Sequence, residues 1–247
     1  MNIKKHYTNP PLIEALCEFH FDPSTPEDLT VPGLLYAALE DKYPIKRQQS
    51  LLNQQFLATP KGPHANINMV NRLQFFNKTE TALVQINPHF LSVNHLKPYP
   101  TWDKFLPMVE EVLRRYYDIV NPSRCLRMGV RFINRIELPG PQSSLGEYFE
   151  FRPHLGSLVP KDFIECTVGI TLPFKQKEEA LRLQLTSLPG GPETIPIMLD
   201  LNYFRTDGNM DLDNVIKWLD GAHENIESVF EAAITDSCRA LFHERTE

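Results

Sequence analysis

Arg127, Arg131 and Arg135 stand four residues apart in the run RMGVRFINRI. A guanidinium is a planar fork matched to carboxylate and phosphate, so three of them in an apolar run ask what they meet. Side chains of a strand alternate between faces. Arg127, Gly129, Arg131, Ile133 and Arg135 therefore share one side, and Met128, Val130, Phe132 and Ile136 line the other. The same alternation in IEALCEFHF sets Glu14, Leu16, Glu18 and His20 against Ile13, Ala15, Cys17, Phe19 and Phe21. Further strand-like runs add Arg72 and Gln74, Glu165 and Thr167, Arg182 and Gln184, and Asp200 and Asn202. Five arginines and four carboxylates are thus expected on one sheet face. Because the signs nearly balance, the arginines are expected to pair with carboxylates on neighbouring strands, with Arg131 the most buried of its row. The competing expectation is a surface for an anionic ligand, an acidic protein or single-stranded nucleic acid.

His223 is the second candidate. It falls on the apolar stripe of the last helical segment, with Asp220 one turn before and Glu227 one turn after. A two-metal helical site needs a second contributing helix, and the HENIE run lacks the second histidine of a zincin motif, so a core histidine bonded to a sheet residue is expected. Nucleophile signals are missing: there is no G-x-S-x-G, no Walker loop and no GxGxxG, and Gly190-Gly191 lies in the turn-like LPGGP. Cys17, Cys125, Cys166 and Cys238 are widely spaced, which opposes a zinc site, and Cys17 and Cys166 fall on apolar sides of their strands. No metal or other cofactor is implied.

These side chains need elements to hold them. The expected elements are a strand at 13–21, a short helix at 34–43, strands at 54–59, 70–76 and 81–94, and a long helix around 102–120 that begins near Phe105 or kinks at Pro107. The second part repeats the order: a strand at 127–136, a short helix at 145–151, strands at 163–174, 180–188 and 195–205, and a long helix capped by Asp211. The fold class expected is α+β, with two helix-grip-like halves, residues 7–120 and 124–244, merged into one unit. Its sheet would be continuous, with both long helices on one face, as in the saddle of TATA-binding proteins. The 247 residues suffice for a core without metals or disulfides. A net charge of −6 opposes a general polyanion binder, and no run is long and apolar enough to span a membrane. A cytoplasmic protein with reduced thiols is expected.

The motifs Tyr7-x-Asn9-x-Pro11-Leu12-x-Glu14, Arg127-x-Gly129-x-Arg131-Phe132-x-Asn134 and Ala222-His223-x-x-Ile226-x-x-x-Phe230-x-x-x-Ile234-Thr235 are spread from one end of the chain to the other. In them the chain resembles an uncharacterised family of bacterial and archaeal proteins of about this length, distributed sporadically among genomes. That family carries no established activity. Its patchy distribution implies mobile or defence-associated genes and hence an interaction role. The function expected is a non-enzymatic binding or regulatory component, such as a partner in a defence or toxin-related module. It would use Arg72, Arg127, Arg131, Arg135, Glu14 and Glu18, with His223 as a further candidate. The alternatives are a metal-dependent nuclease or hydrolase working through the carboxylates and arginines, and a small-ligand binder of helix-grip type. A protein partner is expected first, then an anionic ligand or single-stranded nucleic acid; a homodimer is a further option.

Overall fold

In the computed structural model, residues 7–22, 28–59, 62–140, 144–156, 158–160, 163–175, 178–191, 193–206 and 211–243 are described. Alternating apolar residues in β1 (Leu12–Phe21) build the first central strand, and β6 (Cys125–Pro139) lies antiparallel beside it. On one side of β1 follow β5 (Phe90–Leu96), β4 (Ala82–Asn87), β3 (Gly62–Phe76) and β2 (Ile45–Thr59). On the far side of β6 follow β9 (Thr194–Thr206), β8 (Glu179–Ser187) and β7 (Thr167–Phe174). The result is an open nine-stranded antiparallel sheet.

Five helices accompany it among the described residues: α1 (Val31–Leu39), α2 (Trp102–Val120), α3 (Leu145–Tyr148), α4 (Leu212–Ala233) and α5 (Asp236–Ala240). The buried stripe of α2 is Trp102, Phe105, Val109, Val112, Leu113 and Tyr116. That of α4 includes Val215, Trp218, Leu219, Ala222, His223 and Ile226. Both stripes cover the sheet side that carries Ala15, Cys17, Val93, Met128, Val130, Leu201 and Tyr203, which together form one core. The opposite sheet face carries the polar set.

Several expected boundaries shift, each for a local reason. The run 81–94 is two strands, because Pro88 and His89 turn the chain between β4 and β5. α2 starts at Trp102 and runs through Pro107. It ends where Asn121 turns left-handed and its N–H bonds the carbonyl of Tyr117 at 2.8 Å. Asp211 caps α4 as expected, accepting from the Asn214 N–H at 2.9 Å. The last helical stripe breaks at Ile234, which bridges to Phe149, and Thr235 caps the separate α5. β2 and β3 pair over their whole length, from Ile45 with Phe76 to Thr59 with Gly62, whereas β3 meets β4 only over Leu73–Phe76. The outer part of this hairpin is a two-stranded ribbon.

Candidate functional site

Strand register sets the site. Across β1 and β6, His20 faces Arg127, Glu18 faces Gly129, Leu16 faces Arg131 and Glu14 faces Ile133. On the far side of β6, Gly129 faces Phe204, Arg131 faces Asn202 and Ile133 faces Asp200. On the far side of β1, His20 faces Phe90 and Leu16 faces Asn94. Gly129 sits in the middle of this face for a reason: a Cβ there would lie 3.2 Å from the Tyr203 carbonyl and 3.3 Å from Asn202 Oδ1.

The arginine row meets carboxylates, as charge balance requires. Arg131 holds Asp200 in a two-pronged pair, Nε to Oδ1 at 2.9 Å and Nη2 to Oδ2 at 2.6 Å. Arg127 Nη1 holds Glu18. Arg135 Nε turns along its own strand to Glu137 at 2.7 Å. Their side chains are 26% exposed at Arg127, 36% at Arg131 and 48% at Arg135, so Arg127 and not Arg131 is the most buried of the three. The neighbours differ: Arg127 lies over the Phe204 ring, 4.5 Å from its centroid, whereas Arg131 has its two bonds to Asp200 and no ring beneath it among the described residues.

Glu14 ends a chain of amides that crosses five strands. Gln74 donates to Gln49 at 3.0 Å and to Gln85 at 3.2 Å, Gln85 donates to Asn94 at 3.3 Å, and Asn94 donates to Glu14 Oε1 at 2.6 Å. Gln74 donates both ways, and from it Gln85 and Asn94 each donate to the next oxygen until the chain ends on the Glu14 carboxylate. Only Gln74 was in the expected set. Gln85 and Asn94 betray themselves in the sequence by polar residues at alternate positions, Gln85 and Asn87, then Ser92 and Asn94.

At one corner, Arg72 lies over the Phe90 ring with its Cζ 4.1 Å from the centroid. Its Nε is buried with no hydrogen-bond partner among the described residues, and burial lowers its pKa, partly opposed by Glu18. His20 stands edge-on to the same ring at 5.0 Å, with its Nε2 3.4 Å from Arg127 Nη1 and 4.0 Å from Glu18 Oε1. Burial pushes the His20 pKa below its ordinary value; Glu18 opposes this, and Arg127 and Arg72 reinforce it.

His223 belongs to the opposite, helix-covered side. It is 3% exposed and stacked on Trp102, with centroids 4.2 Å apart and planes 7° apart. Its polar contact is with Glu227 of its own helix, Nε2 to Oε1 at 3.3 Å, in place of the expected sheet residue. Asp220 is taken by the indole N–H of Trp102 at 2.8 Å. Nearby, the buried hydroxyl of Tyr99 has no hydrogen-bond partner among the described residues. Glu179, which the sequence did not single out, is a buried carboxylate that accepts from Tyr203 and, at 2.9 Å, from the Trp218 indole.

Glu165 corrects the expected face: it is exposed, precedes β7, and borders a cavity of about 510 Å³ with Phe163, Ser187, Gly190 and Ile195. Cys17 is fully buried, and burial pushes its thiol pKa well up, so it is a core group. Among the described residues no group of three or more His, Cys, Asp or Glu side chains is placed to hold a metal ion. No helix among them is long and apolar enough to cross a membrane. No family model matches the chain, and no curated protein is similar to it.

Proposed function

We propose that the protein is a non-enzymatic binding or regulatory component whose polar sheet face meets an acidic segment of a partner protein. One observation carries this reading. Glu14, Glu18, Asp200 and Glu137 each have a donor within the face, whereas Arg72 has neither a hydrogen bond nor an ion pair among the described residues. Arg182, whose bond is to the neutral Gln184 at 2.8 Å, adds a second cation without a carboxylate. Desolvating an arginine costs free energy unless an anion answers it, so the partly buried Arg72 marks where one arrives, with the exposed Arg182 adding positive charge to the same face. A nuclease or hydrolase is less well supported, because a cation shared by Glu14, Glu18 and Asp200 would have to displace Asn94, Arg127 and Arg131.

The reading includes kinship and history. Membership of the sporadically distributed family is supported by the three motifs that span the chain. An internal duplication into residues 7–120 and 124–244, each helix-grip-like, is supported by the outward orders β1-β5-β4-β3 and β6-β9-β8-β7 and by the long helix that follows each set in the chain, although the first half carries β2 as an additional edge strand with no counterpart in the second, against the equal repeat expected from the sequence. A reducing compartment such as the cytoplasm is supported by four free thiols.

Affinity purification from the native host, with the wild-type chain and with an Arg72→Glu/Arg182→Glu variant, tests the binding role. An acidic protein enriched with wild type and lost with the variant is expected, at unchanged melting temperature. Identical partner sets for the two proteins would refute the role of this face.

A further inference from the structure

We propose that Arg72, His20 and Arg127 form a subsite for a phosphoryl dianion at one corner of the polar face, an inference that rests on the binding reading above and narrows it. The three side chains are contiguous although they come from β3, β1 and β6. Arg72 and His20 share the Phe90 ring, and His20 Nε2 lies 3.4 Å from Arg127 Nη1. Phe90 and Phe204 lie under the two guanidinium groups, with the Cζ atoms 4.1 and 4.5 Å from the ring centroids, and contact with a ring face does not consume a guanidinium's N–H donors. Among the described residues the hydrogen-bond partners of Arg127 are Glu18 and His20, both on Nη1. The guanidinium has five N–H groups, so donors remain.

Charge selects the ligand. Two arginines against Glu18 leave the corner with one surplus positive charge while His20 is neutral, and with two once His20 takes a proton. A carboxylate would neutralise the first state. A phosphoryl dianion neutralises the second, and its three oxygens suit three donors converging from different strands. Burial, Arg127 and Arg72 hold His20 neutral in the empty site, with Glu18 opposing them, while Phe90 on β5 adds no charge. A dianion arriving between the arginines reverses their influence on His20, so binding draws in a proton.

Calorimetry of the full chain with inorganic phosphate, with a short acidic peptide carrying one phosphoserine, and with the same peptide carrying glutamate there tests the subsite. The phosphoserine peptide should bind about 10- to 100-fold more tightly than its glutamate counterpart, the range of a lost charge-assisted hydrogen bond. Arg72→Gln should remove that advantage, whereas Arg114→Gln, an equal charge change on α2, should keep it. At about pH 7.5, where the phosphoserine is already dianionic, titration in buffers of different ionisation enthalpy should show proton uptake, lost in His20→Gln. Equal binding of both peptides would sink the subsite and leave the protein-partner reading intact. Saturable binding of inorganic phosphate with no binding of either peptide would keep the subsite, assign it to a free phosphorylated small molecule and sink the protein-partner reading. Failure of phosphate in every form would overturn the subsite.

Discussion

At the scale of single residues, pairing decides what each arginine does. Asp200 is 13% exposed and accepts two bonds from Arg131, so Arg131→Ala leaves a largely buried carboxylate without them. The cost lies between that of a surface pair and that of a buried one, about 2 kcal/mol. Asp200→Asn in the same chain should recover most of it, because the stranded charge is gone. Urea melts of the two single variants and the double variant measure the coupling, and purely additive losses would show that the pair is inert. The histidines supply a second test. His20 and His95 are both held by burial below the ordinary value of 6.5. Between their folded values and 6.5 the unfolded chain binds more protons, so this stability is present above pH 6.5 and is lost as pH falls through the lower folded values. The melting temperature should therefore drop from about pH 7 towards pH 5.5, and less steeply in His20→Gln and in His95→Gln. A flat profile in the wild type would contradict both placements. The sequence shows that Arg131 pairs, because a cation on a predicted strand face with acidic neighbours has few other outcomes. It does not show that Phe204 would lie under Arg127 or that Arg127 is the more buried of the two, since the place of the ring depends on the register of β9 against β6.

At the scale of elements, period carries information and register does not. β1 alternates as its sequence dictates, with Ala15, Cys17, Phe19 and Phe21 inward and Glu14, Glu18 and His20 on the polar face. The break between β4 and β5 is written in Pro88, yet the apolar run around it reads as one strand until the turn is recognised. α4 shows the limit of a stripe read at steps of three and four. Its buried face holds Val215, Trp218 and Ala222 as well as Leu219, His223 and Ile226, because a helix packing on a twisted sheet buries a wider arc than a single line. The sequence predicts a start near Phe105 or a kink at Pro107; the helix starts at Trp102 and holds Pro107 within it. That residue is exposed, lacks the N–H that would bond within the helix, and crowds the carbonyl of the preceding turn. Pro107→Ala should restore the bond and stabilise the protein by up to about 3 kcal/mol. Thermal unfolding measures this. A lower melting temperature would mean that Pro107 stiffens the unfolded chain more than it disturbs α2.

At the scale of the whole molecule, the two strands at the centre of the sheet are the opening strands of the two proposed halves. β1 pairs with β6 from Leu12 opposite Asn134 to Phe21 opposite Cys125. α2 meets α4 through the Trp102–His223 stack and the Trp102 bond to Asp220. The chain start is tied to the far end as well, with the Thr8 N–H on the His243 carbonyl, the Asn9 N–H on the Phe242 carbonyl, both at 3.0 Å, and the Tyr7 hydroxyl on Glu231 at 2.7 Å. Dividing the chain between 122 and 123 would expose two central strands as bare edges, each with an apolar face stripped of half its helix cover. Fragments 1–122 and 123–247, produced separately, should therefore fail to give monomers that melt cooperatively. Mixed or co-expressed, they should form a one-to-one complex whose circular dichroism matches the intact chain, because the β1–β6 ladder, the α2–α4 contact and the terminal clasp can form between chains as they do within one. Size-exclusion chromatography with light scattering separates the outcomes. A homodimer of one fragment would show that β1 or β6 can pair with its own copy, as expected if the two halves descend from one ancestor that assembled across this edge. A stable monomeric 1–122 fragment would show instead that each half closes its own core and that the shared sheet is an interface between two independent domains.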